Sequence, residues 1–231
     1  MKIDKYLASL WLVSRRNAKK TFKENIITVN GAEILDHTYL LHEGDVIGYG
    51  DENIVFKSLV VILLHKPAGY VCSDIPEGRH KSYRDLLDDC AYKETLHVAG
   101  RLDADTTWLV LLTNDGVLNH QIISPKKKMT KIYEVESEKI LSDTDCRQLE
   151  HGVTLDDGYT TLPAQVEKIS DKKIRLFLHE GKYHQVKRML EAVDNKVTKL
   201  HRTQIGRCML WDLPEGKRKE IVEADIFSVE K

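Results

Sequence analysis

The segment Gly100-Arg101-Leu102-Asp103-Ala104-Asp105-Thr106-Thr107-Trp108-Leu109-Val110-Leu111-Leu112-Thr113-Asn114-Asp115-Gly116 constrains the fold more than any other part of the chain. Its five consecutive apolar residues, Trp108 to Leu112, read as a buried strand. Gly100 bounds that strand on one side and the turn signal Asn114-Asp115-Gly116 on the other. Two acids, Asp103 and Asp105, stand at its mouth with Arg101, Thr106 and Thr107. A carboxylate carried on a short loop against a buried strand is held rigidly and partly desolvated, which suits catalysis. Asp and Thr are equally common in turns, where they bond their own backbone, so the residues alone leave both readings open.

The rest of the chain mixes strands and helices without regular βαβ alternation, which points to an α+β fold rather than a doubly wound sheet. Leu59-Val60-Val61-Ile62-Leu63-Leu64 lacks alternation and reads as a strand buried on both faces, turned by His65-Lys66-Pro67-Ala68-Gly69. Residues 79–96 are expected to be helical in part. A helix over 117–123 should end at Ser124-Pro125, and one over 142–151 at Gly152. Residues 131–138 alternate as a half-exposed strand, as do those around Ile174, Leu176 and Leu178. His184 to Val193 carries Val186, Met189, Leu190 and Val193 at helical spacing.

The N-terminal segment has its own pattern. Ile3, Tyr6, Leu7 and Leu10 share one helix face, and Ser14 is a plausible cap for a second helix that turns Ala18 and Phe22 inward. Ile26 to Val29 then reads as a strand, with Asn30-Gly31 as a hairpin turn. The polar break Asp51-Glu52-Asn53 is a candidate linker running to Ser58, which divides the chain into 1–58 and 59–231. The whole chain has a net charge of −1, yet residues 1–25 hold seven lysines and arginines against two acids. Arg15, Arg16, Lys19, Lys20 and Lys23 would cover one face of the second helix, either as a solvated surface or as a phosphate-binding one. Two further basic groups, Lys126, Lys127, Lys128 and Lys131, and Lys196, Lys199, His201, Arg202 and Arg207, are candidates for phosphate contact.

At 231 residues the chain is long enough to bury a sizeable core, and 42% hydrophobic with 31% charged residues is a soluble composition. No window has the apolar length of a membrane span, so a soluble cytoplasmic protein without a membrane partner is expected. Cys72, Cys90, Cys146 and Cys208 form no Cys-x-x-Cys pair and read as reduced thiols. No metal or nucleotide-cofactor motif is present, and neither a metal nor a cofactor is expected.

The Gly100–Gly116 segment resembles the central motif of the pseudouridine synthases, Gly-Arg-Leu-Asp-x-Asp-Thr-Thr/Ser-Gly-Leu with a following apolar strand, in the RsuA branch that modifies ribosomal RNA. His65-Lys66-Pro67-Ala68-Gly69-Tyr70 resembles the branch's Asn-Lys-Pro-x-Gly stretch. Lys131-Ile132-Tyr133 resembles its Lys-Thr-Tyr strand, and Glu180 to Met189 its third motif. Three positions depart from the pattern: Trp108 and Asp194 replace glycines, and His65 replaces asparagine. Glycine at the first position implies a positive φ or a close backbone approach. A tryptophan there is expected either to overpack the core or to enter the cleft.

The resemblance implies a small N-terminal S-four-like RNA-binding domain and a catalytic domain built on a long, bent, mixed but largely antiparallel sheet with a cleft across it. It implies site-specific isomerisation of uridine in ribosomal RNA, with 16S small-subunit RNA as the expected target. Ribosomal RNA or a pre-ribosomal particle would be the partner of a monomeric enzyme. It assigns Asp103 as nucleophile or base, Tyr133 as the ring beside the uracil, and Lys187 as the cation that keeps Asp103 ionised. Arg188 is the neighbouring alternative, and Arg101 is expected to enter the RNA stack when the base leaves. Asp105 is expected to brace the loop. A non-catalytic RNA-binding or ribosome-assembly factor derived from a synthase is the competing reading, and a glycosidase using both acids a weaker one.

Overall fold

Ile3, Tyr6 and Leu7 are buried along one side of α1 (Ile3–Ser9) in the computed structural model of the protein, which describes residues 1–14 and 16–227. Helix α2 (Ala18–Glu24) buries Ala18 and Phe22 as the spacing predicts. It starts later than expected: Asn17, not Ser14, precedes its first turn. The Ser14 carbonyl instead accepts from Asn17 N–H at 3.0 Å, closing a separate turn. Arg16 therefore lies exposed in that turn rather than on the helix, whereas Lys19 and Lys20 are exposed on α2. Arg15 lies outside the described residues.

Four short antiparallel strands follow: β1 (Ile27–Val29), β2 (Ala32–Glu33), β3 (Val46–Tyr49) and β4 (Glu52–Val55), in the order β2-β1-β3-β4. Asn30 and Gly31 both have positive φ, 53° and 82°, as a two-residue type I′ hairpin requires. The expected linker is instead part of this sheet. Gly50 and Asp51 turn the chain into β4, Ile54 is buried there, and Phe56 meets the Tyr6 ring edge-on with centres 4.9 Å apart. Polar residues at a hairpin tip had the appearance of a break. Residues Met1–Val60 and Leu87–Leu96 form one compact unit. Within it Tyr92 donates its hydroxyl to the Val55 carbonyl at 3.1 Å.

The second unit comprises Val61–Leu86 and His97–Lys231. Its strands are β5 (Val61–Lys66), β6 (Tyr70–Val71), β7 (Lys81–Ser82), β8 (His97–Ala99) and β9 (Thr107–Thr113). After α3 (Gly116–Ile123) comes β10 (Lys131–Ser137), and after α4 (Asp143–His151) come β11 (Gln165–Ser170) and β12 (Lys173–Leu178). Helix α5 (Gln185–Glu191), β13 (Val197–Ile205), β14 (Cys208–Met209) and β15 (Arg218–Ile221) complete it. The main sheet runs β11-β12-β10-β13-β9-β5-β15, with β14 on β13 and β8 on β9. Its pairings are antiparallel except β13 with β9, where His201 faces Thr107 and Arg202 faces Trp108. The sheet is thus mixed and largely antiparallel in an α+β fold. Leu109 to Leu112 and Val61 to Leu64 are fully or almost fully buried, which is why neither run alternates. Strand β10 does alternate, hiding Tyr133, Val135 and Ser137. Asp115 caps α3 through its side chain, and Ser142 with Asp145 forms a capping box on α4.

Candidate active site

Residues 100–106 connect β8 to β9, and buried side chains fasten this loop from several sides. Arg202, on β13 and 1% exposed, donates from Nε to the Leu109 carbonyl at 2.9 Å and from Nη2 to the Gly100 carbonyl at 2.7 Å. Gly100 has φ 91°, and a Cβ there would press against the Arg202 guanidinium at 3.4 Å. Lys66, fully buried at the end of β5, donates to the carbonyls of Pro67 (3.0 Å), Tyr70 (2.7 Å) and Ala104 (3.4 Å). Burial pushes its pKa down to about 8. Gly69 N–H also reaches the Ala104 carbonyl at 2.8 Å, and Leu102 N–H reaches Cys72 Sγ at 3.3 Å. Asp103 is therefore carried on a loop with little freedom.

Its carboxylate meets two groups from the start of α5. Lys187 Nζ lies 2.9 Å from Asp103 Oδ2, and His184 Nε2 lies 3.3 Å from Asp103 Oδ1. Lys187 also reaches Asp105 Oδ1 at 2.7 Å. Burial opposes the Lys187 charge, but the hydrogen bonds to Asp105 and Asp103 outweigh it and raise the pKa. Burial likewise opposes the Asp105 charge, and Lys187 overcomes it, so that carboxyl titrates below its ordinary value. Asp105 thus braces the cation, and a bond to its own backbone N–H also helps to lower its pKa.

Asp103, Tyr133, Lys187 and Arg101 all line one cleft of about 670 Å³. Tyr133 enters it from β10 as a buried ring, and Arg101 is exposed at its edge. Arg188 lies elsewhere: its guanidinium is bound by Asp156 and Asp157 and donates to the Tyr183 carbonyl at 3.2 Å. Those partners occupy the donors that an RNA phosphate would need. Three members of the expected outer basic groups also do other work. Lys131 (4% exposed) and Arg202 are buried in the cleft wall, and His201 packs beneath Trp108. Lys126, Lys127, Lys128, Lys196, Lys199 and Arg207 remain exposed.

Sequence reasoning passed over Lys66 and His184, and it placed Arg202 among the phosphate-contacting basic groups rather than under the Asp103 loop. Lys66 sits in a recognisable motif segment and Arg202 outside them, and both act through backbone carbonyls, which no side-chain spacing announces. The sequence pattern makes His184 the first residue of a helix, whereas it stands just before α5 at φ 48° with its ring turned toward Asp103.

A family model described as RNA pseudouridylate synthase matches residues 60–192. The chain belongs to the pseudouridine synthase family. It is accordingly an isomerase. Relatives over essentially the full length include the ribosomal small subunit pseudouridine synthase A of Vibrio cholerae, 36% identical across all of both chains. The Escherichia coli protein of the same description is 41% identical over 99% of this chain and all of its own. A crystal structure of a pseudouridylate synthase superposes with a TM-score of 0.68 at 33% identity, covering 98% of each chain. The matched residues 60–192 include the Asp103 loop and its anchor Lys66.

Proposed function

We propose that the protein isomerises a uridine of small-subunit ribosomal RNA to pseudouridine, with Asp103 as the reacting carboxylate. One observation carries the residue assignment. Asp103 lines the cleft, sits on a loop fastened by buried side chains and is paired with the Lys187 ammonium. The reaction breaks the bond from uracil N1 to ribose C1′, turns the base and rejoins it through C5. It imports no group and changes no oxidation state. A carboxylate serves as nucleophile at C1′ or as base in a glycal route.

The remaining roles follow from position. Lys187 pairs with Asp103 and fixes its direction, and Asp105 holds Lys187. Tyr133 offers a ring to stack on the uracil and a hydroxyl near the hydrogen leaving C5. Arg101, exposed at the cleft, fills the gap that the flipped base leaves in the RNA stack. The N-terminal unit serves as an S-four-like RNA-binding domain, with Arg15, Arg16, Lys19 and Lys20 on phosphates. Arg188 supports the Tyr183 backbone instead.

The test compares pseudouridine maps of ribosomal RNA from cells with and without the protein, and with Asp103→Asn. One small-subunit position should lose its modification in both deficient strains. A map unchanged by deletion would refute the reading.

A further inference from the structure

Tyr183 is 77% exposed, although it lines the same cleft as Asp103. A single exposed aromatic needs no explanation in itself. This one differs because everything behind it is fixed. Its ring lies on the His184 imidazole with centres 3.8 Å apart and planes 20° from parallel. His184 in turn reaches Asp103 through Nε2 at 3.3 Å. The Tyr183 carbonyl is held by Arg188 at 3.2 Å, and Arg188 is anchored on Asp156 and Asp157. On the other side of the loop, Glu180 accepts the Tyr159 hydroxyl at 2.7 Å, Leu162 N–H at 2.9 Å and Gln185 Nε2 at 2.8 Å. His184 itself holds φ 48°, a left-handed conformation that a non-glycine residue adopts at a cost.

The result is a flat aromatic pair with one face open to solvent, supported by a rigid backbone and joined to the reacting carboxylate. Arg101 and Lys182 add positive charge along the same cleft. A uridine that leaves its stack to reach Asp103 uncovers one face of each of its two neighbours, and Arg101 in the gap does not replace a full ring on both. An exposed ring on a fixed platform recovers that stacking without reading sequence. Aromatic residues beside cations are the usual composition of surfaces that bind unpaired nucleotides.

We propose that Tyr183, backed by His184, is a stacking platform for the base adjacent to the target uridine. This rests on the functional reading above and adds a binding residue to it. The test is a binding cycle in the full-length Asp103→Asn protein, which holds RNA without turning it over. The ligand is a small-subunit ribosomal RNA transcript spanning the mapped uridine. Companion transcripts are abasic at the preceding or the following nucleotide. Tyr183→Ala should weaken binding of the intact transcript about tenfold and leave one of the abasic transcripts unaffected. Tyr183→Phe, which keeps the ring, should restore affinity, and Tyr183→Leu should not. In the Asp103-containing enzyme, Tyr183→Ala should raise KM far more than it lowers kcat. Equal losses on all three transcripts, or no loss on any, would overturn the platform. A wild-type enzyme that fails to isomerise the intact transcript would overturn the functional reading as well, so the two failures are distinguishable.

Discussion

The indole of Trp108 lies on the imidazole of His201, with ring centres 4.4 Å apart and planes 21° from parallel. His65 meets the same indole edge-on at 6.4 Å. Two of the three departures from the family pattern, Trp108 and His65, therefore touch each other. Trp108 has φ 80°, the conformation that the family's glycine implies. Its ring enters neither the core nor the cleft, correcting both outcomes expected from the sequence. It is half-buried between the two histidines, and His201 Nδ1 lies 2.5 Å from Thr107 Oγ1 on the neighbouring strand.

Strain and stacking here oppose each other. A bulky residue at positive φ costs about 1–3 kcal/mol, and an aromatic pair contributes about 0.5–1.5 kcal/mol beyond its burial. Trp108→Gly loses the stack and relieves the strain, whereas Trp108→Ala loses the stack and keeps the strain. The alanine variant should be the less stable by about 1 kcal/mol, roughly 2–4 °C in thermal midpoint. Isomerisation should survive in both. Loss of activity in both folded variants would show that the ring reaches the substrate.

The two acids of the central loop should separate clearly in a kinetic comparison. Asp103→Asn should lower kcat on the order of 10⁴-fold or more while RNA still binds. Lys187→Met leaves Asp103 without its cation and should cost roughly 10²-fold. The Asp105 side chain is 71% exposed and shares Lys187 with Asp103, so Asp105→Asn should cost no more than about fivefold. Comparable losses in Asp103→Asn and Asp105→Asn would mean that both carboxylates react.

Much of this was legible in the sequence because local chemistry and tertiary position agree. The runs at Leu109 and Leu63 are apolar since both faces of their strands are covered, and Asn30-Gly31 turns since both residues accept positive φ. Trp108 and Asp194 (φ 55°) keep the backbone of the glycines they replace, so the resemblance located the strain even where the residue type concealed it. What stayed hidden depends on distant contacts. Nothing near Lys66 announces that its amine is buried against Ala104, 38 positions away. Nothing near Arg188 announces Asp156 and Asp157, and Arg188 and Lys187 are equally basic until the fold gives each a different acid.

The N-terminal basic surface makes a salt-dependent prediction. Charge reversal at Arg16, Lys19 and Lys20 should weaken RNA binding and flatten its dependence on salt by up to about 0.9 per lost phosphate contact. An unchanged slope would show a merely solvated surface. Deleting residues 1–58 is the poorer test. Leu87 and Leu96 are fully buried and belong to the same compact unit as residues 1–60, so deletion should expose them and lower solubility.

Lys66 makes a prediction whose sign is set by its depressed pKa. The unfolded chain holds this proton up to about 10.5, whereas the folded protein releases it near 8. Between those values the unfolded state binds more protons, so raising the pH favours folding through this group. Lys66→Met removes the titration and the three carbonyl contacts, and at pH 7 should destabilise by about 1–3 kcal/mol. Titrating groups that do not interact with Lys66, Lys131 and Tyr6 among them, are common to both proteins and cancel in the comparison, whereas Cys72 beside it does not. The advantage of wild type over Lys66→Met should therefore grow as pH rises from 8 toward 10.5, by at most about 3 kcal/mol. Urea unfolding of both proteins at pH 7, 8, 9 and 10 measures this difference. An advantage that shrinks over the same range would mean that the lysine is held charged, and that its charge rather than its hydrogen bonds secures the Ala104 carbonyl beside Asp103.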